Sequence, residues 1–177
     1  EETGAAQHYR DARILTIYEG TTGIQANDLI GRKLLRDKGK AMAELVKDMR
    51  TVAAAASKSA DADIRIMSTR LGEAVTAVEA GVQWLLTHAR HDAAVPGAVA
   101  VNMVMLVGTV SGGWQLTRAA LIARSRLDAG DVEREYLSAK IMTARFYAEH
   151  FLPRTQAQSQ AICAGAAAIM ALAETQF

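Results

Sequence analysis

The sequence holds one cysteine, Cys163, and two prolines, Pro96 and Pro153, among its 177 residues. A lone thiol excludes an internal disulfide and fits a reducing compartment, so the expected setting is cytoplasmic. So few prolines leave long stretches free to wind, and 35 alanines with few runs of Val, Ile and Thr favour helices, because alanine loses least entropy on entering one. An all-β chain is excluded. Neither sign of charge dominates: 20 basic residues face 19 acidic ones, for a net charge of +1. That balance provides no basic field for nucleic-acid phosphates or an anionic membrane surface, so neither partner is expected. The longest apolar run, residues 98–110, includes Asn102 and falls short of the roughly 20 residues that cross a bilayer, so no membrane span is expected. The chain opens Glu-Glu-Thr-Gly, with no initiator Met and no basic-then-apolar leader, and is expected to lack a signal peptide and to be cut from something longer.

What is present is apolar periodicity at helical spacing. A first run, residues 23–35, places Ile24, Leu29, Ile30 and Leu34 on one broad face and ends at Arg36-Asp37-Lys38-Gly39-Lys40, a boundary or a bend. A second carries Met42, Leu45, Val46, Met49, Val52, Ala53 and Ala56 up to a turn-forming cluster at residues 57–61. The third is the cleanest, with Ile64, Met67, Leu71, Val75, Val78, Val82 and Leu85 at spacings of three and four, running to about His91. After a loop that ends in Pro96-Gly97, a long helix carries Met103, Leu106, Val107, Val110, Trp114, Leu121 and Ile122 and stops near Gly130, a left-handed cap. Residues 131–152 read as the next helix, with Asp131 as N-cap and Tyr136, Leu137, Ile141, Ala144, Ala148 and Phe151 as its apolar positions. A last, alanine-rich helix spans residues 155–175 with Ile162, Ile169 and Leu172. Short connections between long helices predict an all-α, antiparallel up-down bundle of about four long helices. Gly108-x-x-x-Gly112-Gly113 predicts a close helix crossing inside it.

Several residue groups carry no chemistry on this reading. His88 and His91, beside Asp92, lack a third ligand at metal spacing, so no metal site is expected. His8 and His150 read as surface residues, and Trp84, Trp114, Tyr136, Phe146, Tyr147 and Phe151 as core or helix contacts. Cys163, with no basic neighbour, reads as a buried structural thiol. The charges of Glu133, Arg134 and Glu135, and of Arg118, Arg124 and Arg126, read as solvated faces.

The segment before the first run differs in kind. Arg10-Asp11-Ala12-Arg13-Ile14-Leu15-Thr16-Ile17-Tyr18-Glu19-Gly20-Thr21-Thr22-Gly23-Ile24-Gln25 sets one carboxylate beside a small loop that feeds a helix. Gly20 and Gly23 free the backbone for close approach, Thr21 or Thr22 can cap the helix, and amides at its start attract an anionic group. On loop chemistry alone, a capped helix start with no ligand is the favoured reading of these residues.

The string itself, Arg-Asp-Ala-Arg-Ile followed by Ile-Tyr-Glu-Gly-Thr and Ile-Gln, resembles the stretch around the catalytic base of the acyl-CoA dehydrogenase flavoproteins. The Ala139–His150 segment, Ala-Lys-Ile-Met-Thr-Ala-Arg-Phe-Tyr-Ala-Glu-His, is similar to the helical domain appended to one bacterial branch of that family. The resemblance implies two parts: residues 1–36 as the end of the family's C-terminal helical domain, and residues 37–177 as the appended bundle. It implies Glu19 as the base that takes the α proton of an acyl-CoA thioester while hydride leaves the β carbon for FAD. Its backbone amide would be one donor to the thioester oxygen. Tyr18 and Gly20 would line the thioester site, and Thr21, Thr22 and Gly23 would lie against FAD. Many members carry Gln at the position of Gly23, so this chain keeps only backbone donors there. The resemblance further implies an electron-transfer flavoprotein as partner and a homo-oligomer. The chain by itself is expected to be inactive, and an assembly role for the bundle is the alternative.

Overall fold

The computed structural model describes residues 4–18 and 20–176. Among them there is no strand. Helix α1 covers Ala5–Tyr18 and α2 covers Thr22–Asp28, which runs on into a π-helical stretch, Leu29–Leu35. There follow α3 (Lys40–Ser57), α4 (Ala62–His88), α5 (Val95–Asp128), α6 (Arg134–His150) and α7 (Arg154–Cys163), with a single 3-10 turn at Glu174–Gln176.

The all-α bundle expected from the periodicity is present, and one hydrophobic core joins residues of α2, the π stretch and α3–α7. Helix α4 stands in the middle, flanked by α3, α5, α6 and α7. Its stripe of Ile64, Met67, Leu71, Val75, Val78 and Leu85 is at most 1% exposed. Burying such a stripe is what repays the cost of ordering the helix. Gly81 makes room where α4 meets its neighbours: a Cβ there would lie 3.3 Å from Ile162 and 3.5 Å from Leu106. Two hydroxyls in this core bond to backbone carbonyls, Ser68 to Ala53 at 2.7 Å and Ser159 to Ala77 at 3.2 Å, so neither is left unsatisfied.

At 34 residues, α5 is the longest helix. By length and composition it could cross a membrane, contrary to the expectation of no such segment, and a third (33%) of its most apolar window is buried inside the bundle. The difference arises because the apolar run ends before Ser111-Gly112-Gly113, whereas the helix continues through these residues and extends the apolar window. Val99, Met103, Leu106 and Val110 form its buried stripe; Ile122, expected inside, is exposed.

The close crossing predicted at the glycines is found at two of the three. A Cβ on Gly112 would lie 2.6 Å from the Tyr147 hydroxyl, and one on Gly113 would lie 2.6 Å from Leu152, so both admit the end of α6. Gly108 faces nothing within 4 Å and belongs to an open surface.

Other boundaries moved for local reasons. Helix α4 ends at His88 rather than His91. Asp131 does not cap α6 directly; its carboxylate accepts from the Glu133 amide at 2.9 Å, forming a turn that delays the helix to Arg134. That amide, and then the Arg126 guanidinium at 2.7 Å, hold the Asp131 carboxyl below its ordinary pKa. The last helix stops at Cys163 instead of continuing to 175, because Gly165 takes φ +70 against the Trp84 ring. Ile169 and Leu172, expected on its apolar face, are exposed. Cys163 is exposed too, not buried. Trp84, Trp114, Tyr147 and Phe151 are half-buried helix contacts, whereas Tyr136 and Phe146 are exposed.

Candidate active-site segment and the surrounding surface

In the segment that carries the expected chemistry, α1 closes at Tyr18, Gly20 turns the chain with φ +81, and α2 begins at Thr22. Of the two threonines Thr21 is the cap: its extended backbone leads into the helix and its hydroxyl accepts from the Ile24 amide at 3.3 Å. Gly20 alone supplies a left-handed turn; Gly23 sits in the first turn of α2 with helical backbone. Glu19 lies outside the described residues, as does the side-chain environment of Tyr18. The structure therefore brings Gly20, Thr21, Thr22 and Gly23 together in one short turn.

This turn is open. Gly20, Thr21 and Thr22 are exposed and Gly23 is half-buried. No acidic residue stands in the first turn of α2, and among the described residues the amides of Thr22 and Gly23 have no acceptor. Unpaired amides are what an anionic group needs at a helix start. The large apolar residues around the turn also face outward: Tyr9 is 74% exposed, Ile24 61%, Leu15 52% and Ile14 49%. Ile24 was expected on the buried face. Ala26, Ile30 and Leu34 are buried in its place, because the widened π winding keeps residues four apart in line.

A second concavity, which sequence reasoning missed, runs between α3 and α4. Gly39, Met42, Ala43 and Val46 form one wall and Val82, Gln83 and Leu86 the other, enclosing 580 Å³. A recess of 380 Å³ lined by Lys38, Gln83, Leu86, Thr87, Arg90 and His91 continues it. Lys38 and Arg90 are far apart in sequence, and only the pairing of α3 with α4 makes them neighbours. His88, by contrast, bonds through Nδ1 to the Trp84 carbonyl at 2.8 Å and stacks on that ring.

Helices packed in this way around one apolar core make a helical bundle domain. The chain belongs to the acetyl-CoA dehydrogenase C-terminal-like family, which it matches over residues 39–173. It is 45% identical over 162 residues to 3-methylmercaptopropionyl-CoA dehydrogenase of Ruegeria pomeroyi, covering 92% of this chain and 27% of that protein. It is 36% identical over 155 residues to a broad-specificity linear acyl-CoA dehydrogenase of Mycobacterium tuberculosis, covering 83% and 25%. With butyryl-CoA dehydrogenase of Syntrophomonas wolfei it shares 29% over 159 residues, covering 86% and 25%. The chain thus spans about a quarter of the length of the curated relatives it matches, their C-terminal quarter.

Proposed function

We propose that the chain is the C-terminal part of an FAD-dependent acyl-CoA dehydrogenase that desaturates an acyl-CoA thioester between its α and β carbons. The Arg10–Gln25 string carries this reading, and the names of the relatives, each an acyl-CoA dehydrogenase, support it. Glu19 is the base in this proposal. A carboxylate suits the task when a dry pocket raises its pKa, because a stronger base in a water-free site takes a weakly acidic C–H proton more readily. The Glu19 amide would donate to the thioester oxygen, where negative charge develops as the proton leaves. Tyr18 and Gly20 would flank the thioester, with Gly20 leaving it room.

The helix start fits an anionic cofactor: Thr22 and Gly23 offer amides with no acceptor among the described residues and no carboxylate in the first turn to oppose a diphosphate. Thr21 is the least available of the three, since its hydroxyl is engaged by Ile24. When bound, FAD accepts the hydride equivalent, and an electron-transfer flavoprotein would take the electrons onward. A reducing, cytoplasmic setting belongs to the same proposal, on the strength of the single cysteine.

The test is Glu19→Gln in the intact enzyme. Turnover should fall by at least about a thousandfold while flavin absorbance stays at one per subunit, since general-base catalysis contributes on that order. Full-rate desaturation by a correctly folded variant would overturn the assignment.

A second reading is favoured by one observation: Val101 and Met105 on α5 and Met142 and Phe146 on α6 are large apolar residues left exposed. Residues 37–177 would then also serve homo-oligomer assembly. Replacing Met105 and Phe146 by Ser should lower the oligomer mass in light scattering with turnover per folded site retained; an unchanged mass would remove this role.

A further inference from the structure

We propose that the groove between α3 and α4 binds a single-chain anionic amphiphile, a fatty carboxylate of medium length, with its chain along the helices and its head at Lys38 and Arg90. This site is separate from the Tyr18–Gly23 turn and independent of the dehydrogenase reading.

The floor fits an alkyl chain. Met42 and Val46 from α3 and Val82 and Leu86 from α4 line it, and Gly39 lets α4 come close, since a Cβ there would lie 3.1 Å from Leu86. From Gly39 to Arg50 the groove follows 11 residues of helix, or roughly 16 Å. An extended medium-length chain fits that distance, and the 580 Å³ enclosed lies within the usual range of small-molecule sites.

One end is closed. Arg50 reaches across from α3 to Glu79 at 2.6 Å, to the Thr76 hydroxyl at 2.8 Å and to the Gly72 carbonyl at 3.1 Å, tying the two helices together. A helix laid along the groove would meet this tie, whereas a finite tail ends before it. The tie also neutralises Glu79, the one carboxylate in the lining.

The other end is cationic. Lys38 and Arg90 line the recess with no ion-pair partner among the described residues, and Thr87 and His91 add polar groups beside them. Lys47 sits on the rim, paired with Glu44 at 3.6 Å. Asp37 and Asp92, the carboxylates next in sequence to the recess, do not line it: Asp37 accepts from the Gly39 and Ala41 amides at 2.8 and 2.9 Å, and Asp92 from the Ala94 amide at 2.8 Å, bonds that fix their oxygens outside the lining without cancelling their charge. The charged groups that do line the recess, Lys38 and Arg90, are cations and select an anionic head, and the apolar floor selects its chain. Lys38 holds φ +57, a left-handed conformation that glycine takes at lower cost. The backbone there does not require lysine, and its ammonium is what the position contributes.

The experiment is calorimetric titration of the 177-residue chain with sodium decanoate below its micelle concentration, with decanol and acetate as controls. Decanoate should bind saturably at one site, decanol at least about tenfold more weakly, and acetate without measurable heat. Lys38→Gly combined with Arg90→Gln should weaken decanoate by at least about tenfold with the thermal midpoint kept, because Lys38→Gly relieves the backbone. Ala43→Trp, an exposed residue of the wall, should fill the groove and abolish binding. No saturable decanoate binding up to millimolar, equal binding of acetate, or unchanged binding by both variants would overturn the proposal.

Discussion

Helix α1 and the helix that fills the middle of the bundle are opposites. Of the α1 side chains described, residues 5–15, only Ala6 is even half-buried, while Ile64, Met67 and Leu71 of α4 have no exposure at all. The side chains described in the string that carries the family resemblance are therefore all exposed but Gly23, and the part with the best-made core holds none of the residues that the resemblance assigns to a site. The lesson is about what each region needs. A base that works by desolvation requires walls on several sides, and Gly20, Thr21 and Thr22 of the turn are exposed. The apolar side chains of Tyr9, Ile14, Leu15 and Ile24 gain from a further covering surface. The bundle, by contrast, has a shared core drawn from α2–α7 and the π stretch.

The contrast predicts unequal sensitivity. Leu71→Ala should cost about 2–5 kcal/mol, because a fully buried leucine leaves a cavity that its neighbours fill only in part. Leu15→Ala should change stability by less than about 0.5 kcal/mol, as expected of a surface site. Urea unfolding followed by circular dichroism checks both, and an equal loss at Leu15 would show that α1 is held as firmly as α4. A smaller contrast separates two glycines on one helix. Gly113→Ala should cost about 1–3 kcal/mol, since its methyl would sit 2.6 Å from Leu152. Gly108→Ala, with nothing within 4 Å, should stabilise α5 by up to about 1 kcal/mol through helix propensity alone. If both destabilise, Gly108 also lies at a close approach.

Much of the bundle was legible in the sequence because burial writes itself as period. Leu71 and Val78 stand three or four residues from the next apolar position, and nothing but a helix face explains that spacing. What failed was set by single contacts. The last helix stops at Gly165 against Trp84, a neighbour about eighty residues away that no local pattern reveals. Cys163 was judged from its alanine neighbours, yet Ile162 takes the buried position beside it. In the candidate site, the turn and the Thr21 cap were readable from Gly and Thr chemistry. The assignment of Glu19 came from resemblance, and its side chain lies outside the described residues. The α3–α4 groove left no mark, because Lys38 and Arg90 look like ordinary surface charges until two helices align them.

A further contrast, in pH dependence, concerns Tyr147, where α6 crosses α5. Its hydroxyl donates to the Thr109 carbonyl at 3.0 Å and its ring stacks on Phe151 at 4.9 Å. Burial pushes the phenol pKa above its ordinary value, and Arg154 offsets part of that rise. The folded state thus prefers the neutral phenol more than the unfolded chain does. The stability linked to this group is complete below the unfolded pKa of about 10 and is lost as pH rises through the higher folded value. Phenolate absorbance should show one tyrosine ionising late, and Tyr147→Phe should remove that step and flatten the alkaline fall in stability. At neutral pH the same variant should cost about 0.5–1.5 kcal/mol, towards the low end, because the Thr109 carbonyl keeps its partner within α5. If the late step survives the substitution, the crossing at Gly112 is more open than the 2.6 Å approach of that hydroxyl implies.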